Sequence, residues 1–149
     1  MKQIKINNLS SKNIWDFENA YYWFGDNSRI LKILAHFELF KKTLNLKGNL
    51  LEFGVCKGSS LIRTLTFISN FKQNKKIYGF DTFSDFPINK LSLKSDLEFA
   101  HRFNTNSKAI SKNQLEKILK FKKFKNYELI SGNVFNTLEP FLIKNSKKK

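Results

Sequence analysis

The chain has 149 residues, of which 41% are hydrophobic and 26% charged, and its formal net charge is +15. This length and composition are those of one globular domain and exclude a largely disordered chain. No apolar run reaches the roughly 18 residues that a membrane-spanning helix needs, and the amino terminus lacks the apolar core of a signal peptide, so we expect a cytoplasmic protein.

The first predicted helix follows a segment that is rich in aromatic residues. Residues 1–26 are polar at first and then aromatic, so the segment either docks as an amino-terminal helix or lid or, as we expect, covers an edge of the core. Asp26, Asn27 and Ser28 are all good N-cap residues, and apolar residues recur after them at helical spacing. The sequence therefore predicts a helix from this point, with Gly48 as its stop signal.

Three strand–helix units are predicted beyond Gly48. Short apolar runs predict the strands, and apolar residues at helical spacing predict the helices. A long polar connection over 82–111 separates the second strand from the helix before the third, and a connection of this length is usually functional or mobile. In chain order the predicted elements are a strand over 49–54, a helix from Gly58 to about Asn70, a strand over 76–81, a short helix around 95–103, a helix from Asn113 to about Phe124, a strand over 127–131 and a helix from Asn136 to about Ile143.

The alternation of strands and helices predicts the fold class. It is typical of a parallel sheet with crossover helices, so we expect an α/β, Rossmann-like fold with flanking helices. The predicted organisation is an aromatic-rich segment over 1–26, a Rossmann-like domain over 27–144 and a basic tail over 145–149. The sequence contains no internal repeats.

Polar or glycine residues stand at the ends of all three predicted strands. Glu52 and Gly54 close the first strand, Asp81 closes the second, and Gly132 with Asn133 follows the third. In open parallel sheets, ligands bind beyond the carboxyl ends of the strands. The sequence therefore predicts one nucleotide-like ligand laid across the three strand ends.

The turn after the first strand, EFGVCKGSS, can be compared with the known nucleotide-binding motifs. Gly54 allows a tight turn, and Gly58 lets the backbone approach a ligand at the start of the helix. The dinucleotide fingerprint needs glycine at positions 54, 56 and 59, but Cys56 and Ser59 occupy the last two. A P-loop is excluded because no Gly-Lys-Ser/Thr follows. A nicotinamide-dependent oxidoreductase fragment is therefore disfavoured.

Three stretches of the chain resemble known methyltransferase motifs. The turn over 52–60 resembles the first motif of class I S-adenosylmethionine-dependent methyltransferases. More specifically, LLEFGVCKGSSL over 50–61 and IYGFDTFSDFP over 77–87 resemble two blocks of the macrocin O-methyltransferase family. A third stretch, ISGNVFNTL over 130–138, resembles a further segment of that family. The first two blocks together are the specific part of the resemblance.

Four positions depart from the patterns that the stretches resemble. Cys56 replaces the middle glycine of the first motif. Thr82 stands where the family has serine, and Asp85 stands where it has glycine. Asn136 replaces an aspartate in the third stretch. With these departures the resemblance still runs in order over about residues 28–143.

The resemblance implies a role for each residue at the strand ends. The implied cofactor is S-adenosylmethionine, and the implied reaction is methyl transfer from its sulfonium to a sugar hydroxyl of a natural product or glycan. Glu52 would hold the amino group of the cofactor, and Asp81 would accept hydrogen bonds from the ribose hydroxyls. The implied cofactor-binding set is completed by Gly54, Val55, Gly58 and Ser59 in the first turn, Thr82 and Phe83 beside the adenosine, and Gly132 and Asn133 beside the adenine.

The resemblance also implies that a catalytic half is missing. In the family, the aspartates that bind a divalent metal such as Mg²⁺ and the general base follow a fourth strand, whereas no Asp or Glu follows Glu139 here. We therefore expect a carboxyl-terminally truncated chain without identifiable catalytic residues or metal ligands. Its strands would lie in the order 3-2-1, and the first strand would form an exposed edge open to self-association or to a completing chain.

Two further interpretations stay open besides the enzyme. A non-catalytic or partner-completed module would bind S-adenosylmethionine without turnover. The net charge suggests a nucleic-acid-binding protein, but lysine far outnumbers arginine, the usual reader of phosphates and bases. The lysines are also scattered apart from clusters at 120–125 and 147–149, so specific nucleic-acid binding is disfavoured.

The cysteine and the two histidines offer little catalytic chemistry. Cys56 is the only cysteine, so the chain can form neither an intramolecular disulfide nor a cysteine-based zinc site, and no histidine lies near it in sequence to activate it. His36 falls within the first predicted helix and is interpreted as structural. His101 lies in the long connection, where contact with a substrate is conceivable.

Overall fold

The structure is a computed structural model and describes residues 3–86, 88, 91–106 and 109–146. Contacts between Cα atoms divide the chain into two units, residues 1–47 and 48–149. The domain boundaries predicted at residues 26 and 144 stay predictions. Residues 147–149 of the predicted basic tail and Pro87 of the long connection lie outside the described residues.

The first unit is a small hairpin followed by two helices. Its elements in chain order are β1 (Lys5–Ile6), β2 (Leu9–Ser10), a 3-10 turn (Ser11–Asn13), α1 (Ile14–Phe24) and α2 (Ser28–Lys42). The two strands are antiparallel, and Asn7 between them has a φ of 51°, the left-handed conformation that tight hairpin turns require. Several aromatic side chains of α1 are exposed, among them Trp23 at 71% and Phe24 at 81%.

Helix α2 begins at the predicted position but ends earlier than predicted. Of the three candidate caps, Asp26 is the one whose side chain acts, because its Oδ1 accepts the Ser28 N–H at 2.8 Å. Hydrogen bonds from the Ser28 side chain and from this N–H lower the pKa of Asp26. The helix ends at Lys42, where Thr43 Oγ1 donates to the Phe40 carbonyl at 2.8 Å. Gly48 is therefore not its stop signal and instead takes a left-handed φ of 105° in the turn before the sheet.

The second unit contains a parallel sheet of three strands in the order β3-β4-β5, which is the predicted order. The strands are β3 (Leu50–Phe53), β4 (Ile77–Asp81) and β5 (Tyr127–Ser131). The register aligns Phe53 of β3 with Phe80 of β4, and Phe80 with Ile130 of β5. Because the strands are parallel and in this register, their carboxyl ends meet at one edge of the sheet.

Four helices accompany the sheet, and each overlaps its predicted range. They are α3 (Ser59–Asn70), α4 (Lys94–Asn106), α5 (Lys112–Phe121) and α6 (Val134–Ser146). A capping box begins α5: the Ser111 hydroxyl accepts the Gln114 N–H, and the Gln114 side chain accepts the Ser111 N–H. The α/β fold with a parallel sheet and flanking helices is thus confirmed.

Helices pack on both faces of the sheet. A side-chain atom at Gly79 of β4 would come within 3.1 Å of Leu61 of α3, so α3 lies close on that face. On the opposite face, the ring of Phe141 of α6 lies 4.8 Å from the ring of Tyr78 and 5.2 Å from that of Phe80, measured between centroids. The two faces together bury the core, whose largest fully buried side chains include Phe80, Leu61, Leu65, Ile68, Leu115 and Leu119.

Within the described residues, no helix has both the length and the apolar character that crossing a bilayer requires.

Candidate functional site

A cavity of about 420 Å³ opens at the carboxyl ends of the three parallel strands. Ligand sites in open parallel sheets lie at this position, and their usual volumes include this value. Of the ten residues predicted to bind a cofactor, five line the cavity: Gly54, Asp81, Thr82, Gly132 and Asn133. The structure therefore brings together the predicted residues that follow all three strands.

Asp81 is the centre of this edge because its carboxylate joins two turns. Its Oδ2 accepts the Cys56 N–H at 2.8 Å, from the turn after β3, and its Oδ1 accepts the Phe83 N–H at 2.7 Å, from the turn after β4. Its main-chain carbonyl accepts the Gly132 N–H at 2.9 Å, from the turn after β5. The Thr82 hydroxyl also donates to Oδ1, at 3.5 Å. Since each carboxylate oxygen has about two acceptor positions, Oδ2 can accept a further hydrogen bond from a ligand.

The turn after β3 uses three residues in the left-handed conformation. Gly54 has a φ of 81°, Cys56 of 53° and Gly58 of 77°. Glycine adopts this conformation without steric cost, whereas Cys56 is strained in it and is held there by its hydrogen bond to Asp81. This conformation explains why a glycine suits the position that Cys56 occupies.

Gly58 has a packing role. A side-chain carbon added there would lie 2.5 Å from Leu115 Cδ1, so its lack of a side chain lets α5 approach the start of α3. Gly58, Val55 and Ser59 do not line the cavity, and Val55 is buried at 2% exposure. The roles predicted for these three residues toward a cofactor stay predictions.

Glu52 lies in β3, is half-buried and does not line the cavity. The Ser60 hydroxyl donates to its Oε1 at 2.6 Å. Burial raises the pKa of Glu52, and the hydrogen bond from Ser60 together with the charge of Arg63 opposes that rise only in part. A nearby cation would therefore stabilise the ionised form of Glu52.

The residues after β4 and β5 divide between the cavity and the core. Thr82 lines the cavity, whereas Phe83 is buried at 8% exposure with a φ of 53° and does not. Gly132 has a φ of 134°, and the Asn133 Oδ1 accepts the Phe135 N–H at 3.0 Å in the first turn of α6. The Asn133 side chain therefore helps to begin this helix at the edge of the cavity.

An aromatic wall of the cavity was not predicted from the sequence. Phe86 from the long connection and Phe99 and Phe103 from α4 line the cavity together with the strand-end residues. The only sequence signal was the spacing of Phe99 and Phe103, which places two rings on one side of a helix in an otherwise polar stretch. The lining is completed by Phe53, Cys56, Phe80, Ser84, Ala109, Val134 and Phe135.

A second cavity, of about 450 Å³, lies away from the strand ends. It is formed where α3 and α5 end, and Lys72 and Lys123 are among its lining residues. It contains none of the ten predicted cofactor-binding residues. The cavity at the carboxyl ends is thus the candidate site, because sequence motif and fold position agree there.

No metal centre can be built from the described part of the chain. It contains no group of three His, Cys, Asp or Glu side chains arranged to hold an ion. The residues that the structure describes therefore do not fit a divalent metal, and no chemistry at this site is assigned to one.

Comparison with known proteins supports the same fold and motifs. The sequence model of the TylF macrocin O-methyltransferase family matches residues 24–140. No curated protein matches the chain by sequence.

Two solved structures share the fold at low identity. The calicheamicin methyltransferase CalS11 is 18% identical with a TM-score of 0.62, over 90% of this chain and 56% of that one. The O-methyltransferase NovP is 18% identical with a TM-score of 0.63, over 72% of this chain and 47% of that one. The chain thus spans about half the length of these structures.

Proposed function

Because this chain belongs to the macrocin O-methyltransferase family, we propose that it binds S-adenosylmethionine at the carboxyl ends of β3, β4 and β5 and serves methyl transfer to a sugar hydroxyl. The observation that carries the proposal is the position of Asp81. Its carboxylate lies at the cavity, between two strand-end turns, and retains acceptor capacity on Oδ2. Vicinal ribose hydroxyls are the donors that such a carboxylate binds in nucleotide folds.

The other strand-end residues suit the remaining parts of the cofactor. Gly132 and Asn133 line the cavity on the β5 side, where the adenine would lie, and Thr82 lines it beside Asp81. Glu52 would face the amino group at the methionine end. The charge of that ammonium would offset the burial that raises the pKa of Glu52.

S-adenosylmethionine supplies an activated methyl group on a sulfonium, so the protein contributes chiefly alignment. The residues of this chain would hold the cofactor and exclude water from its base. No general base for the acceptor hydroxyl is assigned among the described residues.

A sugar acceptor is proposed from the relatives. A second CalS11 structure, with a TM-score of 0.53 and 19% identity over 90% of this chain and 53% of that one, is titled as a TDP-rhamnose 3'-O-methyltransferase of calicheamicin biosynthesis. We extend only the class of acceptor, a sugar hydroxyl, to this chain. A cytoplasmic location is part of the same proposal and agrees with the single cysteine.

The test is calorimetric titration of the chain with S-adenosylhomocysteine, with NAD as the control ligand. We expect S-adenosylhomocysteine alone to bind, and Asp81→Asn to weaken it at least about tenfold, because the amide presents a donor where a ribose hydroxyl needs an acceptor. Asp85→Asn, four residues along and outside the cavity, is the matched control and should bind normally.

Three outcomes of this titration are informative. A folded wild-type chain that does not bind S-adenosylhomocysteine contradicts the proposal. Equal binding of NAD would favour a nicotinamide site instead. Binding without methyl transfer to any sugar nucleotide would leave the non-catalytic or partner-completed module as the function.

A further inference from the structure

We infer that Asn104 is a positioning residue that fixes Phe86 as one wall of the site, and that the adenine base of the cofactor packs against this wall. The inference rests on the proposed function and adds to it the residue that shapes the base-binding side. Asn104 lies outside the motifs from which the ten cofactor-binding residues were predicted, and Phe86 lies within the second of them but is not among the ten.

The side-chain amide of Asn104 holds the main chain of Phe86 by two hydrogen bonds. Its Oδ1 accepts the Phe86 N–H at 2.6 Å, and its Nδ2 donates to the Phe86 carbonyl at 3.1 Å. Both polar main-chain groups of one residue are thus satisfied by one side chain, as a neighbouring strand would satisfy them. Because a reversed amide would place donor against donor, these two bonds also define the amide orientation.

These bonds join two segments that are far apart in sequence. Phe86 lies in the connection five residues beyond Asp81, whereas Asn104 lies near the end of α4. The position of Phe86 relative to the strand ends is therefore set from α4, which fixes the backbone of the connection at this residue.

The rings of the wall pack on one another around this attachment. The Phe86 ring centroid lies 5.9 Å from those of Phe99 and Phe103, at interplanar angles of 87° and 66°. Phe99 and Phe103 are 6.1 Å apart at 30°. These are distances and angles, edge-to-face for the two Phe86 pairs and stacked for Phe99 with Phe103, at which aromatic rings attract each other.

The residues that line the cavity indicate which class of ligand it would bind. The lining includes the carboxylate of Asp81 and also the rings of Phe86, Phe99 and Phe103. Phe86 is 38% exposed and Phe99 is 52% exposed, so apolar ring surface faces the open cavity. A nucleoside matches both kinds of lining, since its ribose donates hydrogen bonds and its flat base covers aromatic surface.

The first measurement compares Asn104→Ala with wild type. We expect the affinities for S-adenosylhomocysteine and for adenosine to fall by the same factor, about tenfold, because the lost contact is to the base that both ligands carry. Thr105→Ala is the matched control: it lies on the same helix, is exposed, and has a hydroxyl that donates to the His101 carbonyl of its own helix. Its affinities should stay at the wild-type values.

A double-mutant cycle separates positioning from a general loss of stability. If Asn104 acts through Phe86, then Phe86→Ala combined with Asn104→Ala should bind S-adenosylhomocysteine no more weakly than Phe86→Ala alone. Asn104→Asp keeps the acceptor for the Phe86 N–H but sets a carboxylate oxygen against the Phe86 carbonyl, so it should bind more weakly than wild type. Should Asn104→Ala not fold, Asn104→Asp and Phe86→Leu carry the test.

The outcomes separate this inference from the proposed function. A wild-type chain that does not bind S-adenosylhomocysteine overturns the proposed function and this inference with it. Wild-type binding with undiminished affinity in Asn104→Ala or in Phe86→Leu overturns this inference alone. Additive losses in the double mutant also overturn it, because they would show that Asn104 acts independently of Phe86.

Discussion

A single carboxylate, that of Asp81, has both a structural and a proposed binding role. The motif predicted its position after the second strand, and the structure adds its hydrogen bonds to Cys56 and Phe83. These bonds were not predictable from the sequence, since they depend on turns in which both partners are left-handed without being glycine. The residue proposed to bind the ribose is therefore also the one that holds the two turns in place.

The half-buried carboxyl group of Glu52 leads to a prediction about how stability depends on pH. Burial raises the pKa of Glu52, so the folded state binds its proton more tightly than the unfolded state. The stabilisation that this proton gives the folded protein is fully present below the pKa that Glu52 has in the unfolded state. It is lost as the pH rises through the pKa that Glu52 has in the folded state. Glu52→Gln removes this titration and can still accept from Ser60. The unfolding midpoint of Glu52→Gln minus that of wild type should therefore increase between pH 4 and pH 7.

The control for this prediction is a second substitution of the same kind. Glu139→Gln changes an exposed residue of α6, and its difference from wild type should not follow the same course with pH. Thermal unfolding followed by circular dichroism measures all three proteins. A difference for Glu52→Gln that is constant or decreases over this range would contradict the assigned cause.

At the level of single residues, the predictability of the site depended on where its contacts come from. Strand-end residues such as Asp81 and Gly132 could be predicted because a local motif determines their place. The wall residue Phe86 could not, because its place is set by Asn104, 18 residues away. Gly58 was predicted to let the backbone approach a ligand, but in the structure it lies against Leu115 of α5.

Two helices end in the same unusual way. α3 and α5 are each followed by a lysine in the left-handed conformation, Lys72 with a φ of 49° and Lys123 with a φ of 59°. In each case the N–H of the next residue bonds back to the last turn, from Gln73 to Ile68 at 2.9 Å and from Phe124 to Leu119 at 3.0 Å. This is the Schellman motif, in which glycine is the usual residue at the left-handed position.

Replacing these lysines by glycine should stabilise the protein. Lys72→Gly and Lys123→Gly relieve the left-handed strain, and we expect each to raise the free energy of unfolding by about 0.5–1 kcal/mol. Lys117→Gly, an exposed position inside α5, should instead lower it by about 1 kcal/mol. Urea unfolding measures the three changes, and destabilisation at both left-handed positions would show that another interaction of these lysines outweighs the strain.

At the level of elements, existence was more predictable than ends. The three strands and the helices after them follow from hydrophobic periodicity, which local sequence carries. The end of α2 at Lys42 differs from the predicted stop at Gly48, because the helix already ends beside Thr43. α6 begins at Val134, earlier than predicted, because Asn133 begins its first turn through the hydrogen bond to Phe135.

The net charge of +15 affects the stability of the whole molecule and its dependence on salt. Like charges repel more strongly in the compact state, and salt screens that repulsion. Raising NaCl from 20 to 200 mM should therefore raise the unfolding midpoint by about 3 °C, which corresponds to about 1 kcal/mol in a chain of this size. A variant with Lys12→Glu and Lys117→Glu, both exposed, should show a smaller rise. A midpoint that falls with NaCl would contradict the prediction.

The overall architecture was predictable because alternating strands and helices admit few topologies. The strand order β3-β4-β5 agrees with the order expected from the family resemblance. The alternation could not predict where α4 lies, because this helix belongs to the polar connection and not to the alternating strands and helices. That helix supplies the unpredicted wall of the candidate site.

The strand order also has a consequence for the kinetics of folding. Each strand pairs with the strand that follows it along the chain, β3 with β4 and β4 with β5. The sheet can therefore grow one strand at a time in the direction of synthesis, without waiting for a distant segment to insert between strands already formed. The longer connection that contains α4 must close before β5 can pair, so the addition of β5 is expected to be the slower step.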